Sequence, residues 1–392
     1  MKRHITLPEL AEELRVDNAK KYDIVIPSSK IKMAEGQLII SSDELNDGLA
    51  TVLSDSGISQ SDALSLQVMG TAHTNISEKL GIPKKYYDRL LEHPKLLDEN
   101  VNYWLSSAGK NYLLRNFVDK TEQTGVCRAL LSDRFKVIDN FDVLMATLDA
   151  VKSSGVNLKI QDCDITDTRM YMRFVAPEVE VDSPELLKNY RVPNGSVNQG
   201  KTGIISGFII SNSEVGCGQF SISPRAVVLA CSNGMVFKDD AFQKTHLGVQ
   251  MDAFSQIEWS EETRQHNINL IISQVKDAIK TYISEEYFTR KIQHLEQLGK
   301  TKLEHPFEVV KNVSKNLAFS EEKQADLLNY FTQGGDTTAF GVCQALTYFG
   351  QVCEDADFQF ELEKEAVTML ENIEVYDKPM KKKTLKTTAM MN

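Results

Sequence analysis

Three groups of residues in this chain have types and spacing that could do chemistry. The first is Gly195-Ser196-Val197-Asn198-Gln199-Gly200-Lys201-Thr202, which fits G-x-x-x-x-G-K-[ST]. In that pattern backbone amides cradle phosphates and the lysine reaches the β- and γ-phosphates. The chemistry needs an apolar strand before the loop and a helix after it, whose first amides hold the phosphates. Here the preceding residues 187–194 (LKNYRVPN) are polar, and Gly203-Ile204-Ile205-Ser206-Gly207-Phe208 has strand composition. The stretch therefore reads as a loop without phosphate chemistry. Gly195, Gly200, Lys201 and Thr202 remain the residues of an NTP-dependent or hydrolytic alternative.

The second group is basic and aromatic: Arg128, Arg134, Phe135, Lys136, Arg169, Tyr171 and Arg173. Over Arg169–Ala176 the residues alternate, with Met170, Met172, Phe174 and Ala176 on one face and Arg169, Tyr171, Arg173 and Val175 on the other. Guanidinium groups for phosphates beside a ring for stacking are what a single-strand binder requires. The competing reading is a solvated sheet face whose arginines pair with Asp133, Asp162, Asp164 or Asp167. The third group is polar: Asn212, Ser213, Glu214 and Gly216, with Asn233, Gly234 and His246 downstream. Such residues could orient a substrate or a metal at the end of a buried hairpin, but they more often satisfy turn backbone groups. His246 reads as a loop residue and not as a general base.

No Ser/His/Asp or Cys/His order stands out, and no H-E-x-x-H occurs. The six cysteines and seven histidines are dispersed without metal-ligand spacing. The expectation is a chain with no catalytic residue, no metal and no cofactor, its thiols free in a reducing compartment.

The elements that would position these groups can be read from periodicity. Gly203–Ser211 and Gln219–Cys231 read as two long strands joined by a Gly-rich turn, and their apolar runs suit strands buried on both faces. Further strands are predicted at Lys21–Pro27, Gly36–Ser42, Asn111–Val118, Val126–Ser132 and Val156–Ile160. Helices are predicted over residues 5–15, Asp43–Leu53 and Phe141–Ser154. A break at Gly81-Ile82-Pro83 separates two helices in a helix–turn–helix-like pair, read as packed core helices. From Ser260 an apolar stripe (Ile268, Ile272, Val275, Ile279, Ile283, Ile292, Leu295, Leu298) predicts one helix near 40 residues long, from Ser260 to Leu298. A stripe of that length suggests self-association of the chain into a homo-oligomer or scaffold.

The segments Ser211-Asn212-Ser213-Glu214-Val215-Gly216 and Ala230-Cys231-Ser232-Asn233-Gly234-Met235-Val236 resemble the motif pair of the phage/plasmid-like family known as domain of unknown function nine-three-two. Leu80-Gly81-Ile82-Pro83-Lys84-Lys85-Tyr86-Tyr87, Asn100-Val101-Asn102-Tyr103-Trp104-Leu105 and Arg128–Asn140 are similar in the same order, and Thr337–Tyr348 resembles the family's closing helix. The resemblance covers most of the chain, residues 20–370. It implies a mobile-element origin and no established activity.

With 42% hydrophobic and 25% charged residues in 392, the composition is that of a soluble globular protein. Residues 1–14 lack an apolar signal core, and no apolar run approaches the roughly 20 residues that span a bilayer, so a cytoplasmic protein without membrane partners is expected. The net charge is −11, with the acidity concentrated in the C-terminal third. That balance disfavours loose polyanion binding yet leaves room for a focused groove. The fold expected is α+β, a mixed β-sheet core with packed helices and a helical C-terminal domain. Its parts are residues 1–109 (α/β with a helical hairpin), 110–254 (β-rich core), 255–372 (helical) and 373–392 (basic disordered tail). The function expected is that of a non-catalytic nucleic-acid-associated protein with single-stranded nucleic acid as its partner.

Overall fold

The computed structural model describes residues 1–40, 64–119, 124–193, 202–244 and 261–378. The chain opens with β1 (Lys2–Ile5) and α1 (Leu7–Lys20), followed by β2 (Lys21–Pro27), β3 (Ile31–Ala34), β4 (Gln37–Ile40) and β5 (Leu64–Val68). Helices α2 (Gly70–Leu80), α3 (Lys84–Leu90) and α4 (Pro94–Ala108) lead to the hairpin β6 (Asn111–Asp119) and β7 (Thr124–Ser132). These strands form one sheet in the order β2-β6-β7-β5-β4-β3, antiparallel except for β5 beside β7.

Helix α5 (Asn140–Ser154) crosses to a second, antiparallel sheet. Its strands are β8 (Lys159–Ile165), β9 (Met170–Asp182), β10 (Gly203–Asn212), β11 (Phe220–Val228), β12 (Gly234–Val236) and β13 (Phe242–Lys244), with a short α6 (Pro184–Leu187) after β9. The order is β1-β8-β9-β10-β11-β12, and β13 also pairs with β11. The chain then turns helical through α7 (Glu261–Tyr282), α8 (Glu285–Gly299), α9 (Pro306–Asn316), α10 (Glu321–Gly334), α11 (Ala339–Val352), α12 (Ala356–Glu371) and α13 (Ile373–Tyr376). This is an α+β fold with a helical C-terminal region. Among the described residues no helix is long and apolar enough to cross a membrane.

The hairpin β10–β11 is central, in register from Ile204↔Val228 to Ser211↔Ser221, and both strands are buried along their whole length. Its apolar runs are explained by cover on both faces. Met172, Phe174, Phe208 and Ile222 pack with Leu10 of α1, Leu144 of α5 and Val275 of α7. On the opposite face Tyr171, Ile209 and Val236 meet Ala356 and Phe360 of α12.

Several expectations are corrected. The core is two sheets, not one, and residue 110 does not part them, because β6 and β7 complete the sheet begun by β2 while β1 joins the other. The second hairpin strand stops at Val228, where residues 229–231 turn. The long helix is two. Ser284 caps α8 by accepting the Tyr287 N–H at 3.2 Å, and a first turn holding Glu285 and Glu286 favours the new start. The apolar stripe is spent within the chain: Ile271, Val275 and Ile279 face the second sheet, while Ile292 and Leu295 enter the C-terminal bundle. Ile268, Ile272 and Leu298 of the stripe stay half-buried at the edges of these clusters. The start of the expected tail is also ordered, since Asp377 accepts the Glu304 and His305 N–H groups at 3.0 and 3.1 Å. The helix expected at Asp43–Leu53 and residues 379–392 lie outside the described residues.

Candidate functional site

The turn after β10 is where the two sheets meet. Asn212 donates its Nδ2 to the Ile138 carbonyl at 2.9 Å and to Asn140 Oδ1 at 2.8 Å. Ser213 donates to the Thr168 carbonyl at 2.7 Å and accepts the Cys217 N–H at 3.0 Å. Val215 enters an apolar cluster with Val25, Leu113 and Leu131 of the other sheet. Gly216 has φ +79, and a Cβ there would lie 2.7 Å from Leu131, so position and conformation both call for glycine.

Glu214 is the charged centre of this junction. Its Oε1 accepts from Lys21 Nζ at 2.8 Å and from the Asn140 N–H at 2.7 Å, and its Oε2 accepts from Arg128 at 2.7 Å. Its backbone carbonyl takes Arg115 Nη1 at 2.8 Å. Arg115 is fully buried and reaches Asp23 at 2.9 Å and Asp139 at 2.8 Å. Lys21, Arg115 and Arg128 thus balance Asp23, Asp139 and Glu214, with Lys21 also 2.8 Å from Asp139. Burial pushes the Glu214 carboxyl up, but Lys21, Arg128 and Arg115 outweigh it and hold the group well below the usual carboxylate range. Asp139 is lowered against its burial by Lys21 and Arg115. Its side chain accepts three hydrogen bonds, all from within the fold, which leaves at most one acceptor site, on Oε2. Glu214 is a clamp between sheets.

Asn233 and Gly234 stand elsewhere. Along the central hairpin Asn233 lies beyond Val228 and Asn212 beyond Ser211, at opposite ends of strands roughly 25 Å long at about 3.3 Å per residue. The two halves of the motif pair therefore do not form one polar site. Asn233 donates to Gln344 Oε1 of α11 at 3.1 Å. Gly234 leaves room for Arg225, whose guanidinium would lie 2.1 Å from a Cβ there. Arg225 pairs with Glu363 of α12 through two bonds of 2.9 and 2.8 Å, both side chains buried. His246 lies outside the described residues.

The Arg-Tyr-Arg face alternates as expected, but it is not open to a ligand. Arg173 is 0% exposed and donates to Asp162 at 2.7 Å and to Asp164. Tyr171 is buried and donates to Asp357 of α12 at 2.6 Å. Arg169 donates to the Cys217 carbonyl at 2.6 Å and to Glu361 at 3.1 Å. Arg128 belongs to the Glu214 junction. The pairing with Asp162 and Asp164 is present, but the face is neither solvated nor free. Helix α12 covers it, from about 190 residues further along the chain.

Arg134 and Lys136 lie apart from that set. Arg134 is exposed and lines a groove of about 470 Å³ with Lys79, Lys110 and Tyr112, where Asp133 is the acidic member. The groove lies where the ends of α2 and α4 meet the β6–β7 hairpin. On α4, Leu97, Val101 and Leu105 are buried, which turns Tyr103 (64% exposed) and Trp104 (45%) outward. Their rings touch edge to face at 5.2 Å. Helix α4 ends at Ala108, and Gly109 and Lys110 of the groove follow it directly.

The GxxxxGKT stretch is only partly described, since Gly195, Gly200 and Lys201 lie outside the described residues. Thr202 donates to Asp182 and leads straight into β10, so a strand stands where the phosphate-binding helix would be. His4, Asp162 and Asp164 bring one ligand atom each within 4.8 Å. Arg173 already holds both carboxylates, and Asp164 accepts the His4 N–H at 2.8 Å, so a cation would have to displace a guanidinium. All six cysteines are free.

No family model matches the chain, and no curated protein or solved structure matches it.

Sequence reasoning missed Lys21, Arg115 and Asp139, whose partners are remote in sequence. It also missed Lys79, Lys110, Tyr103 and Trp104. For the two aromatics a signal was present, since they fall out of phase with the Leu97–Val101–Leu105 stripe of α4.

Proposed function

We propose that this is a non-catalytic, nucleic-acid-associated protein of a phage or plasmid, working in the host cytoplasm in replication, recombination or host takeover. The observation that carries the reading is the groove of Lys79, Lys110 and Arg134, a basic site on a chain of net charge −11, reached from the end of α4, the helix that turns Tyr103 and Trp104 outward. Cations for the backbone and rings for the bases are the two parts a single-strand binder combines. The mobile-element origin rests on the family resemblance of the Asn212–Gly216 and Asn233–Gly234 segments. The polar groups of those segments are engaged within the fold, which supports a binding protein over an enzyme. Lys136, half-buried beside Arg134, belongs to the same edge.

The test is fluorescence anisotropy of labelled single-stranded DNA and RNA at low salt. Saturable binding is expected for at least one of them. If neither binds, the reading is wrong.

A further inference from the structure

A second cleft, of about 210 Å³, opens where α1 and the Glu214 turn meet β7. Its charged groups are not all spent on one another. Arg128 gives Nη2 to Glu214 at 2.7 Å and lies over the Phe117 ring at 4.1 Å, yet its Nη1 is buried with no hydrogen-bond partner. Asn140 commits its Oδ1 to Asn212 and its backbone N–H to Glu214, which leaves its side-chain NH₂. Asp17 lines the same cleft half-buried, with no hydrogen bond to any described residue. Asp17 and Arg128 line the same space without forming an ion pair, and burial pushes the Asp17 carboxyl up against the pull of Arg128. A buried donor without an acceptor is costly, and nature usually supplies one.

The lining decides what that acceptor is. It carries as many acidic as basic side chains. A bare anion drawn to Arg128 would sit against Asp17, and a bare cation drawn to Asp17 would sit against Arg128. A molecule bearing both charges on a short frame satisfies each. The space is small, and a ligand with a compact frame fits it. Phe117 and Phe141 provide apolar wall for a side chain. We propose that this cleft binds a small zwitterion of the free amino acid class, with Arg128 Nη1 and the Asn140 amide on its carboxylate and Asp17 on its ammonium. The site is independent of the nucleic-acid groove, and nothing in its test depends on that reading.

Isothermal calorimetry and thermal shift on the full chain test it. The probes are the twenty common free amino acids at millimolar concentration, with acetate, inorganic phosphate and methylammonium as single-charge controls. Saturable heat and a raised Tm are expected for one or more zwitterions and for no control. Asp17→Asn should weaken that binding at least about tenfold while leaving the unliganded Tm unchanged, because Asp17 makes no bond that the fold needs. Arg128→Lys, which keeps a cation beside Glu214 but loses the free donor, should weaken it as well. The proposal is overturned if no amino acid binds, if a control binds as well as the best zwitterion, or if Asp17→Asn leaves the affinity unchanged.

Discussion

Lys21 and Glu214 are 193 residues apart in sequence and meet at 2.8 Å, and the contact ties the first long strand of one sheet to the turn of the central hairpin of the other. Arg115 and Arg128 complete the junction from neighbouring strands of the first sheet. Removing one charge therefore leaves buried partners uncompensated.

Glu214→Gln keeps the shape and the hydrogen bond from Asn140 but leaves three cations facing two anions. The expected loss is about 3–5 kcal/mol of stability, the usual cost of breaking a buried pair from one side. Urea unfolding followed by circular dichroism measures it. A loss near zero would show that the sheets hold together without this charge.

The same junction sets a pH window. Glu214 and Asp139 have folded-state carboxyls held below their ordinary values, so their contribution is present above about pH 4 and is lost as pH falls through the lowered values. Lys21 is raised by Glu214 and Asp139 against its burial, so its contribution is present below about pH 10 and is lost as pH rises through the raised value. Tm measured against pH should show a plateau between those limits. In Glu214→Gln the acid-side fall should be shallower than in the wild type.

Arg173→Ala and Glu363→Ala probe buried ion pairs of the second sheet, and each should cost about 3–5 kcal/mol. Arg173 would strand Asp162 and Asp164, while Glu363 would strand Arg225 beneath α12. The readout is again chemical denaturation. For Arg173 the outcome also separates roles, since a residue of an exposed binding face would lose affinity with little loss of stability.

Leu295→Ala should destabilise the C-terminal bundle by about 2–5 kcal/mol, because Leu295 is fully buried within the chain. Thermal unfolding together with light scattering checks this. A drop in oligomer size without a drop in Tm would place the helix at an interface.

What was legible in the sequence was local. The alternation of Met170, Met172 and Phe174 gave the strand and its apolar face, and the glycines and serines of 211–218 gave the turn. The helix break at Ser284 was also written locally, because Ser284-Glu285-Glu286 repeats the capping pattern of Ser320-Glu321-Glu322. It was overridden by a stripe whose period runs through it. What could not be read was cover. Nothing near Arg169–Arg173 announces that Asp357 and Glu361 will close over them, and nothing near Lys21 announces Glu214. Helix α4 lies between these cases, with Pro94 at its start, Gly109 after it and Leu97, Val101 and Leu105 in phase. Its outward Tyr103 and Trp104 are the part that bears on function.

The groove of Lys79, Lys110 and Arg134 is tested most directly by the salt dependence of single-strand binding in wild type and in Lys79→Ala/Lys110→Ala. Both lysines are exposed, so the double variant should keep the wild-type Tm. If the two lysines each neutralise a phosphate, the slope of log K against log salt should fall in magnitude by about 1.4, at roughly 0.7 per contact for single strands. Affinity should weaken for all sequences alike. An unchanged slope and affinity in a folded double variant would contradict the account.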